Sequence, residues 1–403
     1  MTDRALSGVR VVDISQGIAG PYATKLLADS GALVTKVEPP GGDYSRRLGP
    51  FPGDIPDPEM SGLYLHLNTS KRSMTLDVSA SAGQAVLKKM LTNADVFVCG
   101  ERASTLKAWG LSYDALKTEF PELIVAQVSP FGATGPYAEY DGNSLTAMAM
   151  STIMYNTGNP DREPLTTGGE PGEYLAGIHL WIGILAAIAN RARNGGGEHV
   201  DVSMADAAAA ADEYNTAMYG FQGAIRRRYY SRHIFGYPND IVECADGHVV
   251  MIPGASGFPT PATLDTLSPM ALLFEDPELN KHPLFIQAGE RMIHWQEFDE
   301  LVRPYMSTHT KMEIVLTAQA LRLPFAYVPA AADLLQDEHL AERGFFERPS
   351  GNMAIPGSPF KMSETPLAVS AAPALGSANE EVLVKELGYD KGELALLSDR
   401  GVI

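Results

Sequence analysis

Residues 168–193, GGEPGEYLAGIHLWIGILAAIANRAR, most constrain how this chain can fold, because a glycine-rich polar stretch runs directly into a strongly apolar helix. Pro171 and Gly172 predict a turn. Glu173 then falls in the first helical turn, where amide groups lack intrahelical partners and a carboxylate is favoured. Apolar residues cover most of the helix circumference, which predicts a helix buried in the core. The apolar run is shorter than the ~20 residues that span a bilayer and contains His179, so a membrane helix is disfavoured.

Two interpretations of Glu173 follow from its place at the start of this helix. As a structural group, its carboxylate satisfies the free amide groups of the first turn and takes no part in chemistry. As a functional group, it is a candidate nucleophile, because a carboxylate can attack a thioester to give a mixed anhydride. The local sequence alone favours the structural interpretation.

The charge balance of the chain argues against nucleic acid and anionic membranes as partners. With 31 Lys and Arg residues against 49 Asp and Glu residues, the net charge is -18, which favours a soluble protein. Cys99 and Cys244 are far apart and lack the spacing of metal ligands, which predicts a reduced, cytoplasmic setting and no metal. The N-terminal residues have no signal-peptide pattern, so nothing in them indicates export.

Strands and helices alternate along the first half of the chain, which predicts one open α/β sheet. Residues 9–14 form an apolar run typical of a buried parallel strand, residues 22–30 follow as a helix, and residues 33–37 form a second strand. Ligands bind beyond the carboxyl ends of such strands, so residues 15–18 are placed to meet one. No GxGxxG fingerprint follows the first strand, which disfavours a nicotinamide cofactor. The turn-rich residues 38–57 are long enough for a loop to suggest a functional role.

The chain divides into domains by composition. Residues 1–220 are predicted to form the first part of a large nucleotide-fold domain, residues 221–330 a small domain with linkers, and residues 331–403 a return to the large domain. Lys71 and Arg72 stand just before a predicted strand, where a basic pair in so acidic a protein could contact phosphate. Two solvated surface cations explain the pair equally well.

Several motifs spread over the whole chain resemble those of the family III CoA-transferases, the group of the formyl-CoA and carnitine CoA-transferases. The similar segments are VVDISQGIAGPYATKLLADSGALVTKVEPPGGD at residues 11–43, NTSKRSMTLD at 68–77, ADVFV at 94–98, WGLSYDAL at 109–116, FGATGPYAEYD at 131–141, EYLAGIHLWIGILAAI at 173–188, HVDVSMAD at 199–206 and DEHLAERGFFE at 337–347. Because the motifs are collinear, together they indicate the family far more specifically than any one of them alone.

The resemblance implies both a fold and a mechanism. The fold is α/β, with a Rossmann-like large domain built from both chain ends, a smaller α+β domain, and two subunits interlocked in a ring-like dimer. In the mechanism, an aspartate attacks the donor acyl-CoA to form a mixed anhydride, CoA converts this to an aspartyl-CoA thioester, and the acceptor acid then takes the CoA. The family's aspartate corresponds to Glu173 in this chain. The residues expected around CoA are Gln16, Ile18, Lys71, Arg72 and Arg102.

The chain departs from the family in this site. Glutamate can do the nucleophilic work of aspartate, but its extra methylene moves the reacting oxygen by about 1 Å, which can cost on the order of a hundredfold in rate. After the strand that ends at Cys99, many relatives hold the CoA adenosine with Asn, an aromatic or basic residue and Pro-Gly. This chain has Glu101 there, whose charge would repel a CoA phosphate. Racemases of the same fold use a histidine where this chain has Tyr140, so racemisation is disfavoured.

Three functional hypotheses follow, all with acyl-CoA as a substrate and a carboxylic acid as the other ligand. In the first, which both departures favour, the chain is the catalytically silent subunit of a heteromeric transferase whose homologous partner carries the aspartate. In the second, the chain is an active homomeric transferase with Glu173 as its nucleophile. In the third, it is a CoA-binding lyase or hydratase that uses Glu173 as a general base.

The sequence does not name the acids. Succinyl-CoA is the expected donor. Aromatic and methionine residues around residues 218–230 suit a bulky or aromatic acceptor such as a benzylsuccinate-like dicarboxylate, with neighbouring arginines as counter-ions. Core packing or an interface explains these residues equally well.

Overall fold

The computed structural model describes residues 4–232, 237–252, 267–351 and 353–403, and within them the chain divides into two compact units. The larger unit extends to Met154, continues over Thr166–Ile225 and ends with Leu340–Ile403. The smaller unit contains Tyr155–Leu165 and Arg226–His339. The boundaries at residues 225 and 339 lie beyond the predicted 220 and 330, and the short first segment of the smaller unit has no counterpart in the predicted division.

The larger unit is built on a parallel sheet. Its strands in the described part of the chain are β1 (Arg10–Asp13), β2 (Leu33–Glu38), β3 (Arg72–Thr75), β4 (Val96–Cys99), β5 (Ile124–Ser129) and β6 (His199–Ser203). Their order across the sheet is β3-β2-β1-β4-β5-β6, the order of a doubly wound nucleotide-binding fold. The predicted α/β class and Rossmann-like large domain are therefore confirmed.

The inner strands of the sheet form where the sequence is mainly apolar. β4 and β5 are buried along their entire length, as expected of parallel strands covered by helices on both sides. Alternate residues enter two different cores, because successive side chains of a strand point to opposite faces. Val11 and Val34 belong to one core, whereas Val12 and Val37 belong to the other.

Helices surround this sheet on both faces. Those from residue 19 to residue 222 are α1 (Ala19–Asp29), α2 (Gly62–Leu67), α3 (Ser81–Leu91), α4 (Ala103–Ala108), α5 (Tyr113–Glu119), α6 (Ser144–Ala149), α7 (Thr152–Asn156), α8 (Pro171–Asn194), α9 (Met204–Ala210) and α10 (Glu213–Gln222). Short 3-10 turns at Tyr44–Arg47 and Pro52–Asp54 interrupt the long loop after β2.

Helix α8 is the apolar helix that contains Glu173, and it packs against α1, β5 and β6. Leu180 and Ile184 are fully buried, whereas Ile178 and Ile182 are exposed. The predicted burial of this helix in the core is therefore correct for one face only, because only that face of α8 lies against the sheet. The 24 residues of α8 are long and apolar enough to cross a membrane by length and composition alone, but its buried face belongs to the core of the larger unit.

The smaller unit combines a short antiparallel sheet with helices. Its described strands, in the order β7-β8-β9, are β7 (Asp240–Cys244), β8 (Gly247–Met251) and β9 (Ala326–Tyr327). The helices that follow residue 266 are α11 (Leu267–Leu273), α12 (Pro283–Ile286), α13 (Ala288–Ile293), α14 (Trp295–Met306), α15 (Lys311–Ala320), α16 (Ala331–Leu335) and α17 (Glu338–Glu342). Phe285 and Phe298 stack at 5.0 Å in its core.

The last residues belong to the larger unit. They contain the strand pair β10 (Phe346–Glu347) and β11 (Ile355–Pro356), a π-helical turn at Glu381–Glu386, and α18 (Lys391–Asp399). Val382, Leu383 and Val402 are buried in the same core as Met74 of β3. The C-terminal segment thus completes one face of the main sheet.

Candidate active site

The loops that follow the first four strands enclose a cavity of about 150 Å³ at the carboxyl ends of the sheet. Gln16 lines it from the loop after β1, and Glu101 from the loop after β4. Pro39 and Asp77 extend the lining from the loops after β2 and β3. Because β1 and β4 are neighbours at which the winding of the sheet reverses, the cavity occupies the position where such folds bind ligands.

Buried ionic groups hold the loop after β1 in place. The Asp13 carboxylate accepts a hydrogen bond from the Ser15 N–H at 2.9 Å, and Asp43 Oδ1 accepts one from the Gly17 N–H at 3.1 Å. The Lys36 ammonium lies 2.8 Å from Asp43 Oδ2 and also donates to the Ser15 carbonyl. Burial acts to raise the pKa of Asp43, but the Lys36 ammonium and the N–H groups of Ser45 and Gly17 together outweigh it and lower the pKa. The loop backbone is therefore fixed before any ligand binds.

Glu173 lies beside this loop. Its Oε2 accepts a hydrogen bond from the backbone N–H of Ala19, the first residue of α1, at 3.3 Å. Glu173 itself lies in the first turn of α8, and its side chain is half-buried. The carboxylate therefore stands among free amide groups at the starts of two helices, where negative charge is stabilised.

A glycine in α8 allows these two helix starts to meet. Gly177 lies one turn after Glu173, and a Cβ at this position would be 2.6 Å from the Ala19 carbonyl oxygen and 3.2 Å from the Tyr22 ring. Those distances are too short for any side chain. The close approach of α1 to α8 therefore depends on Gly177 and brings the Ala19 N–H within reach of the Glu173 carboxylate.

The surroundings of Glu173 oppose its ionisation. Burial raises the pKa of the Glu173 carboxyl, and the nearby Glu170 carboxylate raises it further, while the hydrogen bond from Ala19 acts in the opposite direction. A raised pKa makes a carboxylate more basic and leaves less of it ionised at acidic pH. Glu173 thus has the perturbed titration that is common at functional sites.

Replacing Glu170 by Gln is expected to move the acid limb of the reaction rate to lower pH. Glu173 is the nucleophile predicted from the sequence, and a carboxyl group is nucleophilic only when ionised. Removing a neighbouring negative charge lowers the pKa at which the ionised form appears. The check is a profile of kcat/KM against pH for the wild type and Glu170→Gln. Glu163→Gln serves as the control for an exposed glutamate. An unshifted acid limb in Glu170→Gln would contradict the expectation.

Three of the residues expected around CoA lie near the cavity or Glu173. Gln16 lines the cavity, and Ile18 is buried as the residue that precedes α1. Arg102 follows Glu101, is half-buried and pairs with Asp141.

Lys71 and Arg72, the other two residues expected around CoA, do not line this cavity, and their side chains have different partners. The Lys71 side chain is fully buried, and its ammonium donates to the Pro21 carbonyl and to Asn68 Oδ1, both at 2.9 Å. Arg72 is the first residue of β3 and therefore lies at the amino end of the parallel sheet, where its guanidinium pairs with Glu386. The Lys71 ammonium thus lies in the interior of the larger unit, and Arg72 lies at the end of the sheet opposite the cavity.

Burial gives Lys71 a measurable influence on stability, because it lowers the pKa of the ammonium to about 7. The unfolded chain holds this proton up to about pH 10. Between these values the folded state binds fewer protons, so the contribution of Lys71 to the free energy of unfolding rises with pH.

The stability of the wild type relative to Lys71→Met is therefore expected to increase from pH 7 to pH 9, by at most about 1.4 kcal/mol per pH unit. Urea unfolding at several pH values measures this difference. Lys281→Met removes a lysine that is 75% exposed and is expected to show no such trend. A difference in the free energy of unfolding between the wild type and Lys71→Met that does not change with pH would contradict this explanation.

Glu101 places an acidic side chain on the wall of the cavity. Its backbone carbonyl accepts a hydrogen bond from Gln127 Nε2 at 2.8 Å, which fixes this part of the loop. Burial raises the pKa of the Glu101 carboxyl, and the Arg102 guanidinium opposes that shift. The cavity is thus lined by two acids, Glu101 and Asp77.

Two residues of the site were not identified from the sequence. Tyr44 lies in the long loop after β2, and Glu170 is the residue that precedes α8. The sequence feature that could have drawn attention to Tyr44 is the unusual length of its loop. For Glu170, that feature is its position three residues before Glu173. Tyr44 is brought to the site only by the packing of separate elements, so the length of its loop does not single it out. The position of Glu170 predicts that it lies near Glu173, but not that its charge raises the pKa of the Glu173 carboxyl.

A doubly wound sheet with a ligand cavity at its switch point and a carboxylate at a nearby helix start defines an α/β enzyme equipped for carboxylate chemistry. The sequence pattern of CoA-transferase family III matches residues 6–379. The chain belongs to this family, which confirms the predicted resemblance.

Curated relatives cover essentially the whole chain. A formyl-CoA:oxalate CoA-transferase of Streptomyces coelicolor is 31% identical over 100% of both chains. A succinyl-CoA:mesaconate CoA-transferase of Haloarcula marismortui is 32% identical over 98% of this chain and 99% of the relative. The beta subunit of a succinyl-CoA–L-malate CoA-transferase of Chloroflexus aurantiacus is 31% identical over 100% and 99%, respectively.

A solved structure has the same fold. The CaiB/BaiF family protein of Brucella suis superimposes with a TM-score of 0.85 at 26% identity, covering 95% of this chain and 99% of that chain. This similarity supports the assignment to the family.

Proposed function

We propose that this chain transfers CoA from an acyl-CoA to a carboxylic acid, with Glu173 as the covalent nucleophile. The observation that carries the proposal is the position of the Glu173 carboxylate, half-buried at the start of α8 and hydrogen-bonded to the first amide of α1. A carboxylate that only capped α8 would bond to amides of its own helix. This one bonds instead to the first amide of α1, which directly follows the loop that lines the cavity.

The proposed reaction begins with attack of a Glu173 carboxylate oxygen on the thioester carbonyl carbon. The new C–O bond replaces the C–S bond, and CoA leaves as its thiolate. The thiolate then attacks Cδ of Glu173 in the mixed anhydride and releases the donor acid as a carboxylate. The acceptor carboxylate attacks the resulting glutamyl-CoA thioester, and the thiolate finally attacks the acceptor's acyl carbon and restores Glu173. No step consumes a proton or an external reactant.

The fixed loop after β1 would position the thioester in this reaction. Gln16 faces the cavity, and the backbone from Gly17 to Ala19 leads from it to Glu173. Pre-organised amide groups stabilise charge that develops on reacting oxygens without reorganisation during the reaction. We assign Gln16 and Ile18 to placement of the acyl-CoA, and Arg102 to the outer part of the CoA molecule.

Succinyl-CoA is the proposed donor, and a dicarboxylic acid the proposed acceptor. Three relatives act on succinyl-CoA with mesaconate, citramalate or malate, and another acts on oxalate. A bulky or aromatic acceptor, such as a benzylsuccinate-like dicarboxylate, remains a narrower proposal. Its support is that Tyr219 and Phe221 are exposed at 61% and 91%, so core packing does not account for them. Transfer rates with malate and benzylsuccinate as competing acceptors distinguish a small dicarboxylic acceptor from a bulky or aromatic one.

The second candidate is a non-catalytic subunit of a heteromeric transferase. Glu101 supports it, because an acid in the cavity opposes binding of a phosphate-bearing ligand. Two relatives are the alpha and beta subunits of one transferase.

Whether the chain is catalytic or not, we propose that a second subunit covers the exposed apolar face of α8 around Ile178 and Ile182. Light scattering of the purified chain tests for a dimer.

The experiment that tests the proposed function is intact-mass analysis after incubation with succinyl-CoA. Borohydride reduction or hydroxylamine traps a thioester or anhydride, and peptide mapping locates the modified residue. Modification at Glu173 in the purified chain supports a homomeric transferase with a glutamate nucleophile. Modification only of a co-purified homologue would instead assign this chain to the non-catalytic role.

A further inference from the structure

The hydroxyl group of Tyr44 lies directly on the loop between the cavity and Glu173. Tyr44 begins the short turn after Asp43, and its side chain packs over Gly17. A Cβ at Gly17 would overlap the Tyr44 hydroxyl oxygen and lie 2.5 Å from Cζ of the ring. Gly17 also has φ of +80°, a conformation that other residues rarely adopt. Glycine at position 17 therefore makes room for the phenol.

The backbone of Tyr44 is anchored to the same loop that it covers. Asp43, the preceding residue, accepts hydrogen bonds from the N–H groups of Gly17 and Ser45 at 3.1 Å and 2.8 Å. Its other oxygen pairs with the buried Lys36 ammonium. Because one carboxylate holds both segments, the hydroxyl of Tyr44 has a defined position relative to the backbone between Gln16 and Ala19.

The Tyr44 hydroxyl is available to a ligand. Among the described residues it has no hydrogen-bond partner, and the residue is 40% exposed. Burial raises the pKa of the phenol, and the carboxylates of Glu173, Asp43 and Glu170 raise it further. The group therefore remains a neutral O–H donor at the pH values at which Glu173 is ionised.

We propose that Tyr44 donates a hydrogen bond to the acyl oxygen of the thioester while Glu173 attacks its carbonyl carbon. As the C–O bond to Glu173 forms, the π electrons of the carbonyl move onto that oxygen, and they return when the C–S bond breaks. Tyr44 keeps its proton throughout and stabilises the transient oxyanion. This inference rests on the proposed function of Glu173 and adds to it a side-chain donor specific to the loop after β2.

The test is the rate of covalent modification of Glu173 by succinyl-CoA in Tyr44→Phe. Removing one oxyanion donor lowers the rate by on the order of a hundredfold. CoA affinity measured by calorimetry and the melting temperature are expected to remain unchanged, since the lost hydroxyl has no partner in the described structure. Tyr137→Phe, at a position 44% exposed, is the matched control and is expected to react like the wild type.

The outcomes separate the two proposals. If the wild type is modified at Glu173 and Tyr44→Phe reacts equally fast, the role of Tyr44 is overturned while that of Glu173 stands. If Tyr44→Phe is slow only because it binds CoA weakly or unfolds, the oxyanion role is overturned too. If the wild type is not modified at all, the nucleophile proposal fails and the role of Tyr44 fails with it.

Discussion

Glu173→Gln is expected to abolish CoA transfer, with kcat/KM lowered on the order of 10⁴-fold or more. The neutral amide of glutamine is too weak a nucleophile to attack a thioester, so no glutamyl-CoA intermediate can form. The side chain keeps its size and can still accept the hydrogen bond from Ala19, so folding should be unaffected. The measurement is the initial rate of acyl-CoA transfer together with the melting temperature.

Two further variants, Glu173→Asp and Glu170→Gln, complement the Glu173→Gln experiment. Aspartate restores the side chain expected of the family but withdraws the carboxylate by about 1 Å, a displacement that can change the rate by on the order of a hundredfold. Glu170→Gln removes a neighbouring carboxylate that precedes α8 and should keep most of the activity near neutral pH. Full activity of Glu173→Gln would show that the nucleophile belongs to another residue or to another subunit.

Gly177→Ala is expected to lower the free energy of unfolding by about 2 kcal/mol and the transfer rate at least about tenfold. The added Cβ would lie 2.6 Å from the Ala19 carbonyl oxygen, which belongs to backbone and cannot rotate away. The two helices must separate, and the Ala19 N–H would then move away from the Glu173 carboxylate. Urea unfolding and steady-state kinetics on the same preparation measure both effects.

Gly220→Ala provides the control for Gly177→Ala. Gly220 also lies inside a helix, α10, but a Cβ there would meet no atom within 4 Å. Replacing an unconstrained helical glycine by alanine is expected to stabilise the fold by up to about 1 kcal/mol. If Gly177→Ala were as stable as Gly220→Ala, the close approach of α1 to α8 could not be what positions Glu173.

The main sheet was predictable because buried parallel strands are apolar on both faces. The predicted strand at residues 33–37 corresponds to β2 at Leu33–Glu38, and the predicted helix at residues 22–30 to α1 at Ala19–Asp29. The start of α1 was placed three residues late, because its first turn contains Gly20 and Pro21, which indicate a turn. Glu173 was predictable for a similar local reason, since its helix begins with Pro171 and Gly172.

By itself the sequence determined the class of fold, the family and the carboxylate at the start of α8, because these depend on local apolar patterns and collinear motifs. Only the tertiary structure decided which neighbours take part. Lys71 and Arg72 are adjacent in the chain, yet one ammonium is buried and the other side chain lies at the amino end of the sheet. Tyr44 reaches the loop beside Glu173 from a distant part of the chain, the long loop after β2. The local sequence does not encode such a contact, because the packing of separate loops and helices around the sheet determines it.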